Sequence, residues 1–196
     1  MNRPRILIAT TNPGKTREIT GILAGVPFAF VTLADLAAID EPEETGATFT
    51  ENARLKALYY AAVTGIPSVA DDSGLEIDAL DKAPGVHSAR WHGFDYAVKF
   101  RKIYELLAEK GLATSTARFV AAVAFAEKDR VLFESRGVVE GTVAPEPKGT
   151  HGFGYDPIFF YPPLGKTTSE LTDEEKSAIS HRARAFRNLT RNLQNL

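Results

Sequence analysis

Arg5-Ile6-Leu7-Ile8-Ala9-Thr10-Thr11-Asn12-Pro13-Gly14-Lys15 sets an apolar run against a cluster of turn residues, the pattern of a buried strand that ends abruptly. Beyond it, Ile19, Ile22 and Leu23 recur at helical spacing until Gly25-Val26-Pro27 stops them. Strand, turn and helix in this order form the arrangement that binds phosphate, with backbone N–H groups facing the anion and Lys15 adding a mobile positive charge. Gly14-Lys15-Thr16 fits the end of a P-loop, but the first glycine of that motif falls at position 9, which is Ala9. The plainer alternative is a strand-to-helix turn with a surface lysine.

Moving outward, Phe28 to Val31 reads as a short strand, and an acidic loop, Glu41-Pro42-Glu43-Glu44, precedes the capping box Thr48-Phe49-Thr50-Glu51. Carboxylates ahead of a helix N-terminus either complement its dipole or bind metal. The helix so opened carries Asn52 and Lys56 on one face and stops at Gly65 and Pro67. Ser68-Val69-Ala70 then reads as a short strand delivering Asp71 and Asp72 at its end, before Ser73-Gly74. Successive strand side chains point to opposite faces, so one aspartate works on a ligand and the other supports it. Leu75, Ile77 and Ala79 alternate with Glu76 and Asp78 as a further half-buried strand.

The stretch from Val86 to Gly93 lacks a period, and His87 and His92 lack the spacing of a zinc site. Phe100, Ile103, Leu106 and Leu107 predict a helix closed by Gly111, and residues 117–143 predict a long β-hairpin serving as scaffold and part of an interface. Gly152-Phe153-Gly154-Tyr155-Asp156-Pro157 is no dinucleotide fingerprint, because proline stands where the third glycine belongs. Its glycines admit close backbone approach to a flat ligand on which Phe153 or Tyr155 stacks; otherwise the aromatics plug a core edge. A second capping box, Thr172-Asp173-Glu174-Glu175, predicts a last helix running to the C-terminus with the stripe Ile179, Phe186, Leu189, Leu193 and Leu196. Arg182 falls on that stripe, with Lys176 and Ser180 near the same face and His181 beside it. A buried cation there needs a carboxylate or a ligand, unless it snorkels at the rim.

A length of 196 residues with 44% apolar content suits one domain, 1–196, with room for two lobes. A net charge of −2 supplies no basic field for tracking nucleic acid. The absence of cysteine removes disulfides, thiolate metal sites and cysteine nucleophiles. No apolar span approaches the ~20 residues of a membrane helix, and the cytoplasm is the expected compartment.

Taken together, Thr10-x-Asn12-x-x-Lys15, Glu43-Glu44-Thr45-Gly46, Glu51-Asn52-Ala53 with Lys56, Ala70-Asp71-Asp72-Ser73-Gly74, Pro84-Gly85 with Ser88-Ala89-Arg90, Gly152 to Pro157, and Ser180-His181-Arg182 resemble the inosine triphosphate pyrophosphatase family. The resemblance spans nearly the whole chain in unbroken order; Trp91 stands where tyrosine is more usual. It implies an elongated, two-lobed α/β fold with a central twisted mixed sheet flanked by helices and a cleft between the lobes. It further implies a homodimer and Mg2+-dependent cleavage of ITP, dITP, XTP and dXTP to the monophosphate and pyrophosphate. Asp72 matches the proton acceptor and a metal ligand, an acidic-loop glutamate, Glu43 ahead of Glu44, the second ligand, and Lys56 serves the phosphates beside Lys15. Thr10, Thr11, Asn12, Pro13, Gly14, Lys15, Ser73, Phe153, Gly154, Tyr155, Asp156, Lys176, His181 and Arg182 match substrate-binding positions. His181 and Arg182 are the candidates for reading the base. A purine-triphosphate sensor without turnover and a P-loop kinase or GTPase releasing γ-phosphate are the competing classes.

Overall fold

β1 (Arg5–Ile8) gives way at Asn12 to α1 (Pro13–Ile22), and β2 (Ala29–Thr32) follows. Next come α2 (Phe49–Thr64), β3 (Ser68–Ile77) and α3 (Tyr96–Glu109), and then β4 (Thr116–Glu127) turns through Lys128-Asp129 into β5 (Arg130–Val143). The chain closes with β6 (Phe159–Tyr161), β7 (Lys166–Thr167), α4 (Asp173–Ile179) and α5 (His181–Leu193). This computed structural model describes residues 3–194; Leu196, placed on the apolar stripe above, lies outside them. One mixed seven-stranded sheet has the order β2-β1-β3-β4-β5-β6-β7. β1 runs parallel to β2 and to β3, while β6 runs antiparallel to β5 and β7.

The chain divides into two compact units. The first comprises Met1–Asp72, Ala121–Gly137 and His181–Leu196. Its core joins Ile6 and Ile8 of β1, Ile19 of α1, Val69 of β3 and Phe186 and Leu189 of α5. Gly137 lets β5 lie against the start of α5, because a side chain there would collide with the His181 carbonyl and the Ala185 nitrogen. The second unit comprises Ser73–Val120 and Val138–Ser180. Leu75 and Ile77 of β3 pack there with Ile103 and Leu107 of α3, and with Tyr155 and Phe159. No helix among the described residues is long and apolar enough to cross a membrane.

Two local expectations change. Ser68–Ala70 and the following alternation are one strand, not two, so Asp71 and Asp72 sit mid-strand. Gly74 belongs in that strand because Ser88 packs directly on it, leaving no room for a Cβ. The last helix is two helices: Ser180 is extended (φ −61°, ψ 150°), and its N–H closes α4 by donating to the Lys176 carbonyl at 2.8 Å. The period-based reading carried across this single residue because the residues on both sides keep helical spacing. β7 has only two residues and left no periodic signal.

Candidate active site

Asn12 caps α1: its Oδ1 accepts from the Gly14 and Lys15 N–H groups at 2.9 and 3.2 Å. Two donors expected to face an anion are therefore engaged by the cap itself. Thr10 Oγ1 accepts from Asn12 N at 3.3 Å, and Thr11, Asn12 and Pro13 are exposed. Lys15 is paired: its ammonium lies 3.1 Å from Asp71 Oδ2.

Strand alternation separates the aspartates. Val69 belongs to the core shared with α1 and α5, and Asp71, two residues on, keeps that face. Asp71 Oδ2 accepts from Lys15 and also from Arg182 Nε at 3.2 Å, while Arg182 Nη1 pairs with Glu18. Asp71 and Arg182 are 1% and 2% exposed, so the middle of this chain of charges is out of water, while Lys15 and Glu18 at its ends are half-buried. Burial drives Asp71 upward, but Lys15, Arg182 and Lys56 outweigh it and hold the carboxyl well below the usual range. Burial is also the largest influence on Lys15, and it wins, lowering the amine. Arg182 goes the other way, raised by Asp71 and Glu18 against burial.

Asp72 faces α2. Thr48 caps that helix through a capping box and Gly65 ends it in the left-handed conformation (φ 66°), fixing Asn52 and Lys56 beneath the aspartate. Asn52 Nδ2 donates to Asp72 Oδ2 at 3.2 Å, and Lys56 Nζ donates to Asp72 Oδ1 at 3.0 Å. The same lysine donates to Glu44 Oε1 at 2.8 Å, and Asn52 Oδ1 accepts from Gly46 N at 2.8 Å. The acidic loop is thus tied to Asp72 through Glu44, whereas Glu43 is exposed. Burial raises the Asp72 carboxyl, Lys56 and Lys15 pull it down, and Glu44 adds to the rise. Lys56 is raised as well: burial opposes its charge, and Asp72, Asp71 and Glu44 overcome it.

The glycine-aromatic turn belongs to the second unit. Asp156, 2% exposed, accepts through Oδ2 from Phe153 N at 2.8 Å and Lys176 Nζ at 2.6 Å, and through Oδ1 from the Thr168 hydroxyl at 2.8 Å. Gly152 (φ 74°) admits this contact, since a Cβ there would strike Asp156 Oδ2. Lys176 also lies 4.7 Å from the Phe153 ring centroid. Phe153 and Gly154 are half-buried, but Tyr155 is a core residue that donates its hydroxyl to the Ser88 carbonyl at 3.0 Å. Of the two aromatics, Phe153 is the half-buried one. Ser73 is half-buried on β3, and His181, 6% exposed, opens α5.

The model of the family described as the Ham1 family matches residues 6–192. The chain belongs to the Ham1 family. Among curated relatives, a protein of Shigella flexneri named dITP/XTP pyrophosphatase is 45% identical, covering 97% of this chain and 98% of its own. A Thermus thermophilus protein of the same name is 46% identical over 94% of this chain and 89% of its own. Among solved structures, a HAM1 protein from Coxiella burnetii superposes with a TM-score of 0.90 at 39% identity, covering 98% of this chain and all of that one (100%). The Staphylococcus aureus Ham1 protein gives 0.86 at 35%, covering 97% and 98%.

Within this Ham1 chain the structure brings together Lys15, Lys56, Asp71, Asp72 and Arg182 in the first unit, and Phe153, Asp156 and Lys176 in the second. Sequence reasoning gave no role to Glu18 or Asn52. Glu18 lies one turn after Lys15, so helical spacing already set it on the same face. Asn52 was placed beside Lys56 without its task, orienting Asp72.

Proposed function

We propose that this chain hydrolyses ITP, dITP, XTP and dXTP to the nucleoside monophosphate and pyrophosphate, removing deaminated purines from the nucleotide pool. Asp72 carries the proposal: a carboxylate raised by burial, oriented by Asn52 and Lys56, in a chain whose relatives bear the name dITP/XTP pyrophosphatase. A carboxylate moved toward the working pH is a better proton acceptor, and Asp72 takes the proton of the water that attacks the α-phosphorus. Pyrophosphate is the leaving group. Lys15 and Lys56 neutralise the triphosphate, exchanging carboxylate partners for phosphate oxygens without becoming unpaired.

Mg2+ is the expected cofactor, supplying charge neutralisation and polarisation of the phosphoryl oxygens when bound. The donor set fits a hard cation: Asp72 and Glu44 present carboxylate oxygens to the same ammonium, at 3.0 and 2.8 Å. Among the described residues no group of three or more His, Cys, Asp or Glu side chains is gathered to hold a metal, so Asp72 and Glu44 would supply two ligands and water the rest. We assign to Glu44 the second-ligand role that the sequence suggested for Glu43.

Base choice falls to Phe153, Asp156 and Lys176, with His181 and Arg182 retained as sequence-matched candidates. Inosine and xanthosine present a 6-keto oxygen and an N1–H, where adenosine presents an amino group and a bare nitrogen. Buried donors and acceptors matched to the keto form are left unpaired by adenine, a rejection on the order of 10⁴ in well-built sites. The proposed state is a cytoplasmic homodimer acting on small nucleotides, a state open to light scattering on the eluting protein. Incubating the protein and Mg2+ with ITP, XTP, GTP and ATP, and separating phosphate from pyrophosphate, tests the activity. Pyrophosphate from ITP and XTP is expected; γ-phosphate release, or tight binding without turnover, would sink it.

A further inference from the structure

Lys99 on α3 is completely buried, at 0% exposure. Its ammonium donates to the Ser88 carbonyl at 3.0 Å and the Ala89 carbonyl at 2.7 Å. It also lies 4.3 Å from the Tyr96 ring centroid and 5.7 Å from that of Tyr155. Burial lowers the amine, and no carboxylate among the described residues offsets that effect. A buried ammonium without a counter-ion is costly, and an apolar side chain would fill the same space at less cost. Packing alone therefore does not account for it.

The two carbonyls explain where the charge acts. Ser88 is locked to β3, its hydroxyl accepting from Leu75 N at 3.0 Å and donating to the Gly85 carbonyl at 2.6 Å. Gly74 is the glycine that makes this approach possible. The Ser88 carbonyl then takes two donors, Lys99 and the Tyr155 hydroxyl. Tyr155 is followed at once by Asp156, which holds Phe153, Thr168 and Lys176. From β3 to Lys176 the second unit contains a series of hydrogen bonds interrupted only by the Tyr155–Asp156 chain link, with the Ser88 carbonyl in it held by the Lys99 charge and with the Asp156–Lys176 ion pair at its far end.

We propose that Lys99 is a positioning residue for the Phe153–Asp156 turn, acting through the Ser88 carbonyl that it shares with Tyr155. Lys99 touches no reacting atom; it fixes where Asp156 and Lys176 stand. The kinetic meaning rests on the proposed function, in which those two residues meet the purine.

Two variants of the full chain, Lys99→Met and Tyr155→Phe, and their combination test this by amide hydrogen exchange without nucleotide and by ITP kinetics. Exchange over residues 152–157 is expected to quicken in each single variant, on the order of tenfold, while α5 keeps wild-type protection. KM for ITP rises ~10-fold or more with kcat much less affected, as misplacement of a binding loop dictates. Because both side chains act through one carbonyl, the double variant is less impaired than the product of the two singles. Unchanged exchange over 152–157, quickening confined to 85–93, or a uniform rise throughout the chain would overturn the proposal, as would an unchanged KM. If Lys99→Met does not fold, Tyr155→Phe, which removes one hydroxyl, decides by the same exchange measurement. Wild-type protein that fails to hydrolyse ITP defeats the proposed function and leaves the exchange result to stand by itself.

Discussion

The two units hold their charged residues in opposite ways. In the first, Asp71 and Asp72 are adjacent in sequence yet divided between two networks, Lys15-Asp71-Arg182-Glu18 and Asn52-Asp72-Lys56-Glu44. At the glycine-aromatic turn of the second unit, by contrast, a single carboxylate, Asp156, collects a backbone amide, a hydroxyl and an ammonium. The first arrangement leaves several cations sharing carboxylates, which suits a ligand that brings negative charge and takes some of them over. The second satisfies one carboxylate completely, which suits holding a shape against which a neutral ring is compared. Under the proposed function, chemistry goes to the first network and selection to the second.

The sharpest way to break this division is Asp72→Asn. It should retain ITP binding and lose 10²- to 10⁴-fold in pyrophosphate release, the usual range for a lost general base; retained turnover would remove Asp72 from the role. Arg182→Ala removes the cation that Asp71 and Glu18 share and leaves Asp71 to Lys15, and loss of a buried partner of this kind costs up to about 3–5 kcal/mol, readable by urea denaturation. The ITP-to-ATP ratio of kcat/KM, measured on the folded variant, then decides whether the guanidinium also reads the base: an unchanged ratio leaves it a purely structural cation.

A subtler contrast lies inside the acidic loop. Glu44→Gln should raise the Mg2+ concentration for half-maximal rate by roughly 10- to 100-fold, the range seen when metal-site carboxylate contacts are lost, while Glu43→Gln leaves it close to wild type. The reverse result would return the ligand role to Glu43. The smallest effect is expected at Asp78, in the second unit, whose carboxylate is held far below the usual range by hydrogen bonds from Arg118, Lys82 and Thr116. Its folded-state value is depressed, so its stabilisation is present above the ordinary carboxylate range, near pH 4, and is lost as pH falls below it. Melting curves from pH 5 to pH 2 should therefore decline slightly less for Asp78→Asn than for the wild type; equal slopes would show that solvent screening cancels the contribution.

Local features were the legible ones. Asn12-Pro13, Thr48 to Glu51 and Thr172 to Glu175 each announce a helix start, and each is one. The opposite outlook of Asp71 and Asp72 followed from strand alternation alone, although the strand runs on through Gly74, where Ser88 packs. Arg182 was recognisable as a buried cation needing a partner, but the partner, Asp71, lies 111 residues away, and no local pattern connects them. Lys99 gave no signal either. Its helix was read from its apolar positions, and its carbonyl partners lie in the aperiodic stretch before it.

The placement of Asp71 and Asp72 within a single strand carries a liability. Each aspartate's job is set by parity, its count from Val69, and neither side chain differs chemically from the other. A one-residue insertion in β3 ahead of them would put Asp71 opposite Lys56 but Ala70 opposite Lys15 and Arg182, and a one-residue deletion would put Asp72 opposite Lys15 and Arg182 but Ser73 opposite Lys56. Substitution can be tolerated along this strand where size permits; a change of length cannot.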